Sequence, residues 1–174
     1  MTVRPVLTYP SRVLKGLCGP VGAIGPREQQ LATNLIDTMY NAPGCVGVAA
    51  PQIGVPSRAF AMDVSVMKKP PDGHHGLVVL FDPEVLHAAG SNRAREGCLS
   101  VPDFTCDVRR ADTVVVRGVT PDGQIAVLET TGFEARALQH ELDHLDGRLI
   151  LDRVAARSDV FPRKRYAKPG EHLN

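Results

Sequence analysis

The chain has no apolar run of the roughly 18 residues that a membrane helix needs, so no span is expected. Its first ten residues, Met1 to Pro10, lack the basic, apolar, small-residue progression of a secretory signal. They are also too poor in Arg and Ser for a transit peptide. Net charge is scarce: 20 Lys and Arg against 19 Asp and Glu leave +1, so no global field recruits a membrane or nucleic acid. Cysteine is sparse. Cys18, Cys45, Cys98 and Cys106 are irregularly spaced, and without an export signal they read as reduced thiols rather than a disulfide framework. These absences point to a cytoplasmic protein with no membrane partner and no sequence-specific nucleic-acid partner. No repeat or linker divides residues 1–174, which predicts a single domain able to bury a core.

What is there is ordinary globular composition, 43% hydrophobic and 22% charged, so the information lies in pattern. Residues 26–40, "PREQQLATNLIDTMY", space Leu31, Leu35, Ile36 and Met39 at helical intervals, with Pro26 suited to a first turn. "NAPG" then stops the helix. From Val46 to Val119, β-branched runs sit between Pro and Gly: "VGVAA", "RAFAMDV", "GLVVLFDPEVL" and "TVVVRGV" read as strands. "KKPPDGHHG" reads as a surface loop, and Asp122-Gly123 predicts a hairpin between "TVVVRGV" and "IAVLET". Near Gly132 the helical period returns in "FEARALQHELDHLDG", with Gly147 as a stop. The expected class is α+β: mainly antiparallel strands around a central metal-binding helix, with a second helix near the N-terminus. Six basic residues after Asp152 (Arg153, Arg157, Arg163, Lys164, Arg165, Lys168) make residues 153–174 a basic tail. It reads as a solvated terminus, with an RNA-rich surface as the alternative. Pro162 and Pro169 argue against one continuous helix there.

Within the late helix, "QHELDH" (Gln139 to His144) sets His140 and His144 four apart, hence on one face, where both can ligate one metal ion. Glu141 lies about 100° around, able to reach an activated water without ligating. Two histidines are one short of the usual three protein ligands of a catalytic site. The downstream sequence "LDGRLILDRVAARSDVF" offers Asp146 and Asp152 but no His before the near-terminal His172, so the third ligand is sought upstream. Cys98, in "REGCLSVP", follows a glycine at the mouth of a strand-like run. Its thiolate would complete a Cys/His/His set with an open fourth position. Two other readings stand beside this one. A His-Glu-x-x-His zinc protease needs a third ligand after the helix, and a closed structural or nucleic-acid-binding metal module needs a fourth protein ligand.

Three segments, in order, resemble the peptide deformylase family: "GCVGVAAPQIG" (Gly44 to Gly54), "EGCLS" (Glu96 to Ser100) and "QHELDH". The resemblance covers roughly residues 1–152. One position departs: counting back from Gln52, the family's first glycine falls on Cys45, so either Cys replaces it or, with Gly44 just before, the turn is shifted by one residue. The resemblance implies hydrolysis of the N-formyl group from the initiator methionine of new peptides, releasing formate. It implies one divalent metal ion per chain on Cys98, His140 and His144: ferrous iron, with zinc, nickel or cobalt tolerated. Glu141 would be the general base and acid. The Gln52 amide and the backbone N–H of Leu99 would hold the oxyanion. Val46, Gly47, Gly97, Phe133 and Ala137 would line the substrate cleft, Gly47 being suited to close backbone approach, with plain helix core as the alternative for Phe133 and Ala137. Glu96 and Arg110 would pair beneath the site. The implied partners are N-formylmethionyl nascent peptides, and the ribosome surface through the tail.

Overall fold

Alternation along two strands decides where the helices lie. In a computed structural model describing residues 2–163, helix α1 spans Pro26–Asn41 and α2 spans Gly132–Leu145. The strands are β1 (Gly47–Ala49), β2 (Ala59–Asp63), β3 (Leu77–Ala89), β4 (Asn92–Cys98), β5 (Val101–Arg110), β6 (Thr113–Val119), β7 (Ile125–Thr131) and β8 (Val160–Pro162). They form a sheet of order β1-β2-β3-β6-β7 and a second of order β4-β5-β8, with every neighbouring pair antiparallel. Successive strand side chains point to opposite faces. Ala59 and Ala61 of β2, with Val79 and Phe81 of β3, pack with Leu31, Leu35 and Met39 of α1. Phe60, Met62, Val78 and Leu80 point the other way and pack with Leu138, Leu142 and Leu145 of α2. The two helices therefore cover opposite faces of the larger sheet. All five residues of β2 are buried, as a strand covered on both faces requires.

Helix boundaries follow their local chemistry. Pro26 occupies the first turn of α1, and Glu28 Oε2 accepts the Gly25 N–H at 3.1 Å. Beyond α2, Gly147 takes φ +68°, and a Cβ there would stand 2.8 Å from the Lys15 carbonyl oxygen. Only glycine fits that stop. The fold is α+β, as the patterning predicts. The hairpin is present too: Gly123 takes φ +82°, and the Thr120 N–H donates to Gln124 O at 2.9 Å.

Two elements differ from the sequence expectation. Strand β4, "NRAREGC", carries little hydrophobic alternation because it is an edge strand whose buried interior residue is Glu96. The tail is not simply solvated over residues 153–163. Arg153 binds the Asp143 carboxylate through Nε at 2.9 Å, β8 pairs with β5, and the Arg163 N–H donates to Asp103 O at 2.8 Å. These pairings satisfy backbone and guanidinium groups that a solvated terminus would leave to water. Lys164, Arg165, Lys168 and Pro169 lie outside the described residues.

Candidate metal centre

Helix α2 has an apolar stripe on the larger sheet and a polar stripe facing the smaller one. Arg136, one turn before His140, donates to Glu96 Oε1 (2.8 Å), Val108 O (3.0 Å) and Asn92 O (3.0 Å). Gln139 clamps Ala111, its Oε1 accepting the Ala111 N–H and its Nε2 donating to Ala111 O, both at 3.0 Å. These bonds fix the rotation of α2 about its axis. His140 and His144 then face the turn between β4 and β5, where the register slips at Gly97/Cys98 and Cys98 is presented. The Cys98 sulfur lies 3.3 Å from His144 Nε2, and one ligand atom from each of Cys98, His140 and His144 falls within 4.8 Å of the others. The candidate third donor thus lies upstream of the helix.

The surroundings prepare this donor set for a cation. His140 Nδ1 pairs with Glu96 Oε2 at 3.0 Å, which leaves Nε2 for the centre. Glu96 also receives the Arg110 guanidinium through Nε and Nη2, both at 3.0 Å, and Arg110 reaches Asp143. All three are buried. Burial alone would raise the Glu96 carboxyl, but bonds from His140 and Arg110 outweigh it and hold the group at about 2. Burial likewise disfavours charge on His140, yet the Cys98 sulfur and Glu96 prevail and raise its pKa well above the usual imidazole range. A site that draws a proton this way also favours a metal cation in the proton's place. Burial, with His140 and Arg110 nearby, pushes His144 well below that range, so it is neutral, the form that ligates. Among the described residues, Glu141 Oε2 and His144 Nδ1 are buried without a hydrogen-bond partner. A soft sulfur, two imidazoles and an unsatisfied carboxylate oxygen fit a transition-metal ion with a bound solvent molecule.

Glu141 is 3% exposed, and burial pushes its carboxyl up to about 7 against the pull of His140 and Arg110. Gly47 makes its place. A Cβ on Gly47 would sit 2.4 Å from Glu141 Oε1, so the close approach read from the sequence is made, at least in part, by this carboxylate. Gln52 is oriented from behind: its Oε1 accepts the Ala49 N–H at 2.9 Å, which turns Nε2 toward Ser100 Oγ (3.1 Å) and Cys98 Sγ (3.8 Å). Val46, Gly47, Gly97, Leu99, Phe133 and Ala137 line one cleft of about 320 Å³ that reaches Cys98, His140, Glu141 and Gln52. Phe133 is 39% exposed, so it stands at the mouth rather than in the helix core, whereas Ala137 serves both core and cleft. His144 is buried behind the cleft.

Cys45 donates to Gly47 O at 3.1 Å and packs against the α1 core, and burial pushes its thiol up to about 12. It behaves as a small apolar side chain, not as a nucleophile. Sequence reasoning missed several residues that shape the centre: Ser100, Arg136, Asp143, and the cleft residues Met67, Arg95 and Arg163. Arg136 and Asp143 carried a signal, since helical spacing sets them on the flank of the His140 face. Arg163 carried none, because its place depends on β8 returning to the smaller sheet.

The comparisons with known proteins point one way. The family profile described as polypeptide deformylase matches residues 3–159. A peptide deformylase of Thermodesulfovibrio yellowstonii is 40% identical over 166 residues, covering 95% of this chain and 98% of that protein. "Peptide deformylase 2" of Xanthomonas campestris is 38% identical, covering 99% of each. Among solved structures, a peptide deformylase from Legionella pneumophila superposes with TM-score 0.80 at 36% identity, over 88% of this chain and 86% of that one. A class I type b peptide deformylase from Acinetobacter baumannii, described as Met-Ala-Ser bound, gives TM-score 0.81 at 34% identity, over 88% and 100%.

Proposed function

Because the chain belongs to the peptide deformylase family, a family of hydrolases, we propose that it removes the formyl group from the N-formylmethionine of nascent peptides by metal-dependent hydrolysis of the formamide. The observation that carries this reading is the meeting of Cys98 and His140, which line a cleft with Glu141 and Gln52, with His144 buried just behind them. Cys98, His140 and His144 would hold one divalent ion. Such an ion supplies Lewis acidity and lowers the pKa of water toward about 7. Ferrous iron is the expected ion, with zinc, nickel or cobalt as substitutes, since one sulfur and two nitrogens suit several of these.

Each remaining step belongs to the chain's own groups. Glu141 takes the proton of the attacking water and returns it to the departing amine. The Gln52 amide N–H and the Leu99 backbone N–H donate to the oxyanion that develops on the formyl oxygen. Glu96 orients His140 and is itself fixed by Arg110 and Arg136. The first side chain enters beside Val46, Phe133 and Ala137. The peptide backbone passes between Gly47 and Gly97, where β1, an edge strand, is free to pair with it. The Acinetobacter relative described as Met-Ala-Ser bound supports a short peptide as the ligand.

We place this activity in the cytoplasm, in one catalytic domain, acting on chains as they leave the ribosome. No helix of the described residues is long and apolar enough to cross a membrane. A contact between the tail and ribosomal RNA rests on Lys164, Arg165 and Lys168. The test is formate release from formyl-Met-Ala-Ser by protein purified without oxygen. Stoichiometric formate supports the reading; cleavage of internal peptide bonds without formate overturns it.

A further inference from the structure

The mouth of the cleft carries an unbalanced positive charge. The ionisable acid and base side chains lining it are Glu96, Glu141, His140, Arg136, Arg95 and Arg163. Glu96 and Arg136 bind each other at 2.8 Å, and Arg110 and His140 complete the shell of Glu96. Arg95 is bound to Asp107 at 2.5 Å and lies over the Phe161 ring, 3.4 Å from its centroid. Glu141 lies at the floor. Of the three arginines, Arg163 alone has no ion-pair partner among the described residues.

Its position is built rather than incidental. β8 pairs with β5 across Phe104/Pro162 and Thr105/Phe161, and the Arg163 N–H is anchored on Asp103 O at 2.8 Å. The guanidinium lies against Gly97, the residue before Cys98: a Cβ on Gly97 would stand 3.4 Å from Arg163 Nη2 and 3.6 Å from its Cζ. A peptide with its formyl carbon at the centre and its first side chain beside Phe133 leaves past Gly97. Its second and third residues then come within reach of Arg163.

We propose that Arg163 is a specificity residue that selects formylated peptides bearing a carboxylate side chain at the second or third position. The inference rests on the deformylase reading of the cleft. A guanidinium is suited to it because its planar fork donates two parallel hydrogen bonds to a carboxylate. The site is partly solvated, so the effect is that of an exposed ion pair, about threefold in kcat/KM, carried mostly by KM.

The test compares formate release from formyl-Met-Glu-Ser with formyl-Met-Gln-Ser, and from formyl-Met-Ala-Glu with formyl-Met-Ala-Gln. The quantity read is the acidic-to-neutral ratio of kcat/KM within each enzyme, so a general loss of activity in a variant cancels. The wild type should show a ratio of about three at one of the two positions, shrinking in 0.5 M salt. Arg163→Gln should bring it to about one, while Arg163→Lys, which keeps the charge, and Arg157→Gln, exposed outside the cleft, should retain it. A ratio near one at both positions in the wild type, or an unchanged ratio in Arg163→Gln, overturns the proposal while leaving the deformylase reading intact. No formate from any of the four peptides removes that reading, and this inference with it.

Discussion

At the scale of single residues, the site depends on where one carboxylate is allowed to stand. Glu141 is buried and has an oxygen without a hydrogen-bond partner, an arrangement that costs stability. Glu141→Gln keeps shape and volume and removes the proton acceptor. It should retain about one metal ion per chain by elemental analysis while formate release falls by about 10² or more, the scale of a lost general base. Loss of the metal in that variant would make Glu141 a ligand instead. Gly47→Ala tests the same carboxylate from the other side. A methyl 2.4 Å from Oε1 must displace it, and a misplacement of that size lowers kcat by about 10²-fold with little change in KM. Unchanged kcat would mean that the carboxylate's position is not critical. The sequence signalled a close approach at Gly47 but not its partner, because the two residues are far apart in the chain and meet only when α2 docks on the larger sheet.

At the scale of elements, α2 is held between two sheets by different forces on its two sides. Apolar packing holds Leu138, Leu142 and Leu145, and a buried ionic network of Glu96, Arg110, Arg136 and Asp143 holds the other side. Removing one partner from such a network leaves uncompensated buried charge, which costs about 3–5 kcal/mol. Arg110→Met should therefore lower the melting temperature by about 6–20 °C, at 2–4 °C per kcal/mol for a chain of this size. A change below 2 °C would show that the network contributes nothing net. Legibility followed the same division. Helix α2, its glycine stop and the β6–β7 hairpin were readable because period and turn residues act locally. β4 was not, since a polar edge strand lacks the alternation that marks a half-buried one. β8 was not either: three residues in a basic stretch become a strand only because β5 offers a free edge.

At the scale of the whole molecule, single contacts tie elements distant in the chain together. The Tyr40 hydroxyl donates to Asp63 Oδ2 at 2.6 Å and ties the end of α1 to the end of β2. Burial, then the neighbouring Asp63 carboxylate, pushes the Tyr40 phenol from 10.0 up to about 12. The folded state thus favours the neutral phenol. Its contribution is intact below the unfolded value of 10.0 and is lost as pH rises toward about 12. The melting-temperature difference between wild type and Tyr40→Phe should therefore shrink from pH 9 to pH 11.5. A constant difference over that range would show that this bond does not hold the phenol neutral. The candidate metal ligands were legible at this scale because no histidine follows the helix before His172, which turned the search for a third donor upstream to Cys98. What the sequence could not convey was that the chain returns after α2 to wall the same cleft with Arg163.

The most direct measurement is a titration of metal-free protein with ferrous iron, without oxygen, following the rate of formate release from formyl-Met-Ala-Ser. The rate should rise linearly and level off at one iron per chain, and Cys98→Ser should need a large excess of iron to approach the same plateau, because a hydroxyl is a poor soft ligand. Formate release that is independent of added metal, or a Cys98→Ser titration that overlays the wild type, would contradict a Cys98, His140 and His144 centre.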